Sequence, residues 1–139
     1  MINQNIIYKD KKMNDSKIYF YTKDINKKSE VARISAAIGV QFTELKASQA
    51  NVTISSLVGL PPISLTEDKQ TKAPTRWAMP ELILFFGIPD KLLDTFLAEY
   101  KKTDLERIRL KAIVTPTNLG WTVYQLTEHL NKEALQFEK

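Results

Sequence analysis

The sequence predicts an α/β fold: a four-stranded, mostly parallel sheet of order 2-1-3-4 with helices on both faces. Three observations lead there. Short β-branched and aromatic runs alternate with helical stripes along the chain. The run Leu82-Ile83-Leu84-Phe85-Phe86 is apolar on both faces, as a central strand covered on each side must be. Residues of the first half also recur in the second. Leu45-Lys46-Ala47 returns as Leu110-Lys111-Ala112, and Thr53-Ile54-Ser55-Ser56-Leu57 returns as Thr122-Val123-Tyr124-Gln125-Leu126. Two strand–helix–strand–helix repeats follow, the second carrying Thr115-Pro116-Thr117-Asn118 as an insertion. Right-handed crossovers make the strands of each repeat parallel, and the most apolar strands, the first and third, belong at the centre with the switch point between them.

Each element has its own signals. Residues 17–22, K-I-Y-F-Y-T, read as a strand closed by a charged turn. Asp24 caps a helix that runs to about Ile38 on the stripe Val31, Ile34 and Ile38, with Gly39 as its stop. Residues 41–47 alternate, as a half-exposed edge strand does. Thr53 caps a short helix over 54–60 that Pro61-Pro62 ends. Residues 81–88 form the central strand, and Asp90 caps a helix from Lys91 to about Thr103 that buries Leu92, Leu93, Phe96, Leu97 and Tyr100. The fourth strand covers 109–115, and Pro116, which lacks a backbone donor, stops its ladder. Asn118 and Gly120 supply turn residues tolerant of positive φ. Thr122 then caps the last helix, Gln125 completes a capping box, and Trp121 with Leu126 forms a hydrophobic staple. Val52 and Leu57 repeat that staple in the first half.

Residues 1–16 are polar and without period, a flexible arm, so residues 1–12 are expected to be dispensable. Residues 17–139 read as one domain: repeat one at 17–60, a proline-marked linker at 61–80 and repeat two at 81–139.

Composition narrows the function. With 139 residues and 43% hydrophobic content, the chain can build a core. It has no cysteine and one histidine, His129, so thiol chemistry and a histidine-rich metal site are excluded. No apolar run reaches membrane-spanning length and no secretory signal opens the chain, so the expected location is the cytoplasm, with no membrane partner. There is no phosphate loop and no G-x-G-x-x-G, so no cofactor is expected. The net charge of +4 comes from the N-terminal half, but its lysines are not interleaved with aromatics as a nucleic-acid surface requires.

Three places invite a functional reading. A switch-point crevice would be lined by Thr22, Lys23 and Asp24 on one side and by Gly87, Ile88 and Asp90 on the other. His129 beside Glu128 lacks the partner and pocket of acid–base chemistry and reads as a helix-flank residue. The 115–121 loop sets Thr115, Thr117 and Asn118 beside Trp121, the composition of a ligand-binding loop but more often of a loop that satisfies its own backbone. No catalytic or metal-ligating set is found.

From Glu81 to Glu133 the chain resembles a bacterial family catalogued as domain of unknown function 3783. The resemblance rests on Leu82-Ile83-Leu84-Phe85-Phe86-Gly87, the leucine-rich helix after it, and Leu110-Lys111-Ala112-Ile113-Val114-Thr115-Pro116-Thr117-Asn118 with Trp121-Thr122. It implies no activity. The expected function is therefore a non-enzymatic interaction module with a protein partner, and a homodimer is compatible with the pattern. The alternatives are a small-ligand-binding protein or enzyme using the 115–121 loop, and a nucleic-acid binder using the basic N-terminal half.

Overall fold

The computed structural model describes residues 16–61 and 72–137. The arm up to residue 15, and with it the expected dispensability of residues 1–12, lies outside them, as does much of the linker. Ser16, assigned to the arm, is buried, and its hydroxyl donates to the Gly87 carbonyl at 2.7 Å.

The elements are β1 Lys17–Tyr21, α1 Ile25–Ala37, β2 Gln41–Glu44, α2 Ile54–Leu57, β3 Leu82–Phe86, α3 Asp90–Lys101, β4 Leu110–Ile113 and α4 Val123–Phe137. A 3-10 turn, Ala47–Gln49, follows β2. The strands form one sheet in the order β2-β1-β3-β4, as expected. No helix among the described residues is long and apolar enough to cross a membrane.

The sheet is mixed. β1 pairs with β2 and β3 with β4 in parallel, as right-handed crossovers require, but β1 and β3 are antiparallel, with Lys17 opposite Phe86 and Tyr21 opposite Leu82. The crossover rule fixes strand direction only within each strand–helix–strand unit; the long connection between β2 and β3 leaves the direction of β3 open, and β3 starts at the end of the sheet where β2 stopped. Gly59, at φ 82°, ends α2 before Pro61-Pro62 is reached.

This reversal places α1 and α3 on one face. There Val31, Ile34, Phe96 and Tyr100 pack on Ile18, Phe20, Ile83 and Phe85, and Phe96 meets Phe85 edge-on at 5.4 Å. The other face carries α2 and α4, with Ile54, Val58, Val123 and Leu126 on Tyr19, Leu82, Leu84 and Leu110. One polar knot joins the sheet end. The Glu81 carboxylate accepts from Lys27 Nζ (3.1 Å), the Thr22 hydroxyl (2.7 Å) and the Arg109 N–H (2.9 Å). Every partner of this carboxylate is a donor, which is what allows the pair to sit largely out of water.

The repeat holds in part. Each unit is strand–helix–strand, and backbone bonds recur between them in matched form. Leu45 N–H donates to the Phe20 carbonyl and Val114 N–H to the Phe85 carbonyl, both at 2.9 Å. Ile54 N–H reaches the Trp121 carbonyl (2.8 Å) while Val123 N–H reaches that of Val52 (3.0 Å). The counterpart of Leu45 is thus Val114, not Leu110. The extra residues of the second unit lie before β4, at 102–109 where the first unit has 38–40, and not at 115–118. The helices after β2 and β4 differ greatly, one turn against 15 residues. The cap of α3 also differs from expectation. Pro89 is its N-cap, without a side-chain bond, and Asp90 is already helical, whereas Asp24 caps α1 by accepting from Asn26 and Lys27.

Candidate functional site

β2 and β4 end the sheet, and an exposed strand edge needs protection. At β2 the protection is a charge pair. Lys28, one turn after the Asp24 cap, holds Glu44 at 3.2 Å. The matching positions at β4 are Leu93, one turn after the Pro89 cap, and Ile113, just before Val114. These are apolar. Ile113 is 50% exposed, and Leu97, one turn beyond Leu93, is 38% exposed. The sequence places Leu97 in a buried stripe, but the sheet stops at β4, and the described residues leave it exposed.

A cavity of about 480 Å³ runs along this edge. Phe85, Leu93 and Leu97 wall it on the α3 side, Ile113 forms its rim, and Trp121, Leu126 and Leu130 wall it on the α4 side. Lys111, Thr115, Thr117, His129 and Glu133 give it polar margins. A smaller cavity of about 220 Å³ shares Leu97 and Lys111 and adds Tyr100, Lys101 and Arg107.

The four loop residues singled out in the sequence, Thr115, Thr117, Asn118 and Trp121, all line the larger cavity. Asn118 satisfies the loop's own backbone, as one of the two readings of the loop expects, but without the positive φ that was also expected. Asn118 is 7% exposed, and its amide works inside the turn: Oδ1 accepts from Thr115 N–H (3.0 Å) and Nδ2 donates to the Ile113 carbonyl (3.1 Å). Neither Asn118 nor Gly120 has positive φ; Asp104 is the only described non-glycine residue that does. Trp121 stacks on His129 with ring centroids 3.9 Å apart and planes within 6°, so the histidine has an aromatic partner that the sequence did not suggest. The capping box forms as expected, with Thr122 N–H donating to Gln125 Oε1 (2.9 Å) and Gln125 N–H to Thr122 Oγ1 (3.1 Å).

The switch-point crevice does not form. Because β1 and β3 run in opposite directions, Thr22 and Gly87 lie at opposite ends of the sheet. Asp24 and Asp90 therefore lie at opposite ends of the sheet as well, and among the described residues no three acidic or histidine side chains are grouped to hold a metal.

Sequence reasoning missed Leu93, Leu97, Lys111 and Ile113 as site residues. The available signal was the contrast between the halves. Aligned through the Asp24 and Pro89 caps before the helices and through Leu45 and Val114 after them, the first unit offers charged or small residues, Lys28, Ala32 and Glu44, where the second offers the bulky apolar Leu93, Leu97 and Ile113.

The electrostatics at the rim are lopsided. Burial, then the nearby Arg107 cation, pushes the Lys111 ammonium below the usual lysine value, with Glu81 opposing. Burial, then the carboxylates of Glu81, Asp24 and Glu106, pushes the Tyr100 phenol up to about 12. It remains a donor, to the Glu106 carbonyl at 2.7 Å.

Residues 81–137 match the model of a family described as Domain of unknown function (DUF3783), so the C-terminal region carries that family's domain. The matched stretch contains β3, α3, β4, the 115–121 loop and α4, and hence both walls of the larger cavity. Comparison with curated proteins and with solved structures gives no match.

Proposed function

We propose that this chain is a non-enzymatic interaction module whose working surface is the open edge of β4, within the DUF3783 region. The observation that carries this reading is the contrast between the two sheet edges. One is closed by the Lys28–Glu44 pair, and the other presents Leu93, Leu97 and Ile113 beside an open cavity. An exposed apolar strand edge is an aggregation liability unless something covers it. The reading is tested by placing a photo-crosslinking residue at Leu97 or at its counterpart Ala32, in cells that make the protein. Discrete crosslinked products from position 97 and none from position 32 are expected. Equal labelling from both, or none from position 97, would contradict the proposal.

A second reading, a small ligand held beside the 115–121 loop, draws on the cavity itself. Its volume lies within the range of small-molecule sites, and the Thr115 and Thr117 side chains line it. A thermal-shift screen with common metabolites separates the two. A ligand at about 100 times its dissociation constant adds roughly 2.7 kcal/mol, and that gain should vanish in Thr117→Val if the loop is the site. Binding of nucleic acid by the basic N-terminal half is less favoured, because Lys27, Lys28 and Arg33 are already engaged by Glu81, Glu44 and Glu30.

A further inference from the structure

The outward row of β4 can be read from its ladder. Val114 N–H donates to the Phe85 carbonyl, and Leu82 pairs with Leu110 and Leu84 with Ala112, so Leu110, Ala112 and Val114 turn their backbone groups toward β3. Lys111 and Ile113 turn theirs outward, where no strand of the described chain lies. One of these groups is taken: the Ile113 carbonyl accepts from the Asn118 amide. That leaves Lys111 N–H, Lys111 C=O and Ile113 N–H, a short ladder with a built-in stop at the 115–121 loop.

The side chains above this row are specific in kind. Lys111 and Ile113, two residues apart, share the face of the sheet that carries α3. Ile113 opens onto Leu93 and Leu97, while Lys111 has Lys101 and Arg107 as neighbours around the smaller cavity. None of these three cations has a carboxylate partner among the described ion pairs; the Lys111 ammonium reaches only the Ile108 carbonyl, at 3.3 Å. On the α4 side the cavity offers Trp121, His129 and Glu133.

Resting on the interaction-module reading, we infer that the β4 edge receives an extended peptide segment of a partner protein as a fifth strand, with an aliphatic residue and an acidic residue two positions apart on the α3 face. The aliphatic side chain enters between Leu97 and Ile113. The carboxylate sits over Lys111 and Arg107, replacing their mutual repulsion by attraction. The backbone groups of Lys111 and Ile113 supply binding, and the two pockets supply selection. A second copy of this chain fits less well, because β4, Leu110–Ile113, carries no acidic residue to set over the Lys101, Arg107 and Lys111 cluster.

The test uses the full chain and a capped peptide, Thr-Glu-Thr-Val-Thr-Glu-Thr, whose symmetric pattern presents the acid–aliphatic spacing in either strand direction. Binding is followed by amide chemical shifts and hydrogen exchange, with a lysine-for-glutamate peptide as control. The expected result is protection of the Lys111 and Ile113 amides and binding weakened about tenfold or more in the control, with the preference inverted in Lys111→Glu. Equal binding of both peptides, or shifts centred away from β4, would overturn the proposal. Sedimentation of the free chain distinguishes the remaining case. If neither peptide binds and an Ile113-dependent dimer is found, the occupant is a second copy: the inference fails while the edge remains an interaction surface. If neither peptide binds, the chain is monomeric and position 97 gives no crosslinks, both readings fail.

Discussion

Thr53 and Thr122 face each other as an antiparallel bridge, and each caps its own helix. Thr53 Oγ1 accepts from Ser56 N–H at 3.2 Å, and Thr122 Oγ1 from Gln125 N–H at 3.1 Å. The backbone bonds beside them are reciprocal. Ser55 N–H reaches the Leu119 carbonyl (2.9 Å) and Tyr124 N–H reaches that of Ala50 (2.8 Å). The loops after β2 and β4 are therefore locked to one another on the face opposite α1 and α3, and the cavity wall at Trp121 is held from the far half of the chain.

Removing either cap should show this coupling. Thr53→Ala and Thr122→Ala are each expected to cost about 0.5–2 kcal/mol, the usual value of a helix N-cap. Because the two residues touch, the double variant should deviate from the sum by about 0.5 kcal/mol or more. Urea unfolding of the three variants measures the deviation, and strict additivity would argue against a shared lock.

Asn118 gives a sharper prediction. Its amide satisfies Thr115 N–H and the Ile113 carbonyl in a nearly buried position. Asn118→Gly leaves both backbone groups without that partner and is expected to cost about 2 kcal/mol or more. The corresponding bond in the first half runs from Lys46 N–H to Gln49 Oε1 at 2.8 Å in an exposed setting, so Gln49→Ala should cost less than about 1 kcal/mol. Chemical denaturation of the two variants compares them directly; a neutral Asn118→Gly would show that the amide bonds are dispensable.

These residues also mark how far the sequence could be read. The Thr122–Gln125 capping box, the Gly39 stop and the edge character of β2 were legible because each depends on neighbours within a few positions, and the strand order because the two most apolar strands must lie at the centre. The direction of β3 was not. The crossover rule sets direction only within each strand–helix–strand unit, and the long connection between β2 and β3 leaves it open. The short helix after β2 was also misjudged, since 54–60 read as longer than Gly59 allows. The stripe of α3 read as wholly buried, since periodicity reports which side faces the sheet and not where the sheet ends; Leu97 lies past that end. The 115–121 loop was read both as a candidate site and as a loop that satisfies its own backbone; which carbonyl Asn118 would reach, five residues upstream, was not legible.

Tyr100 predicts an alkaline limit to stability. Its phenol titrates at about 12 in the fold against 10.0 when unfolded, so the protonated form is favoured by folding. That contribution is complete below pH 10 and disappears as the pH rises through about 12. Urea unfolding at about pH 9 and about pH 11 should show a loss of stability that is smaller in Tyr100→Phe. Tyr19, also raised by burial, acts in the same direction, so the loss should shrink and not vanish. An undiminished loss in Tyr100→Phe would assign the effect elsewhere.

The most direct test of the account moves the protection of one edge to the other. Leu93→Lys with Ile113→Glu gives β4 the charge pair that Lys28 and Glu44 make at β2. Both positions are at least partly exposed, so the variant should stay within about 1 kcal/mol of the parent in urea unfolding. Titration of this variant with the Thr-Glu-Thr-Val-Thr-Glu-Thr peptide is the deciding measurement. Binding weakened tenfold or more with the fold intact is expected; unchanged binding, or a loss of several kcal/mol in stability, would show that Leu93 and Ile113 serve the core and not a partner.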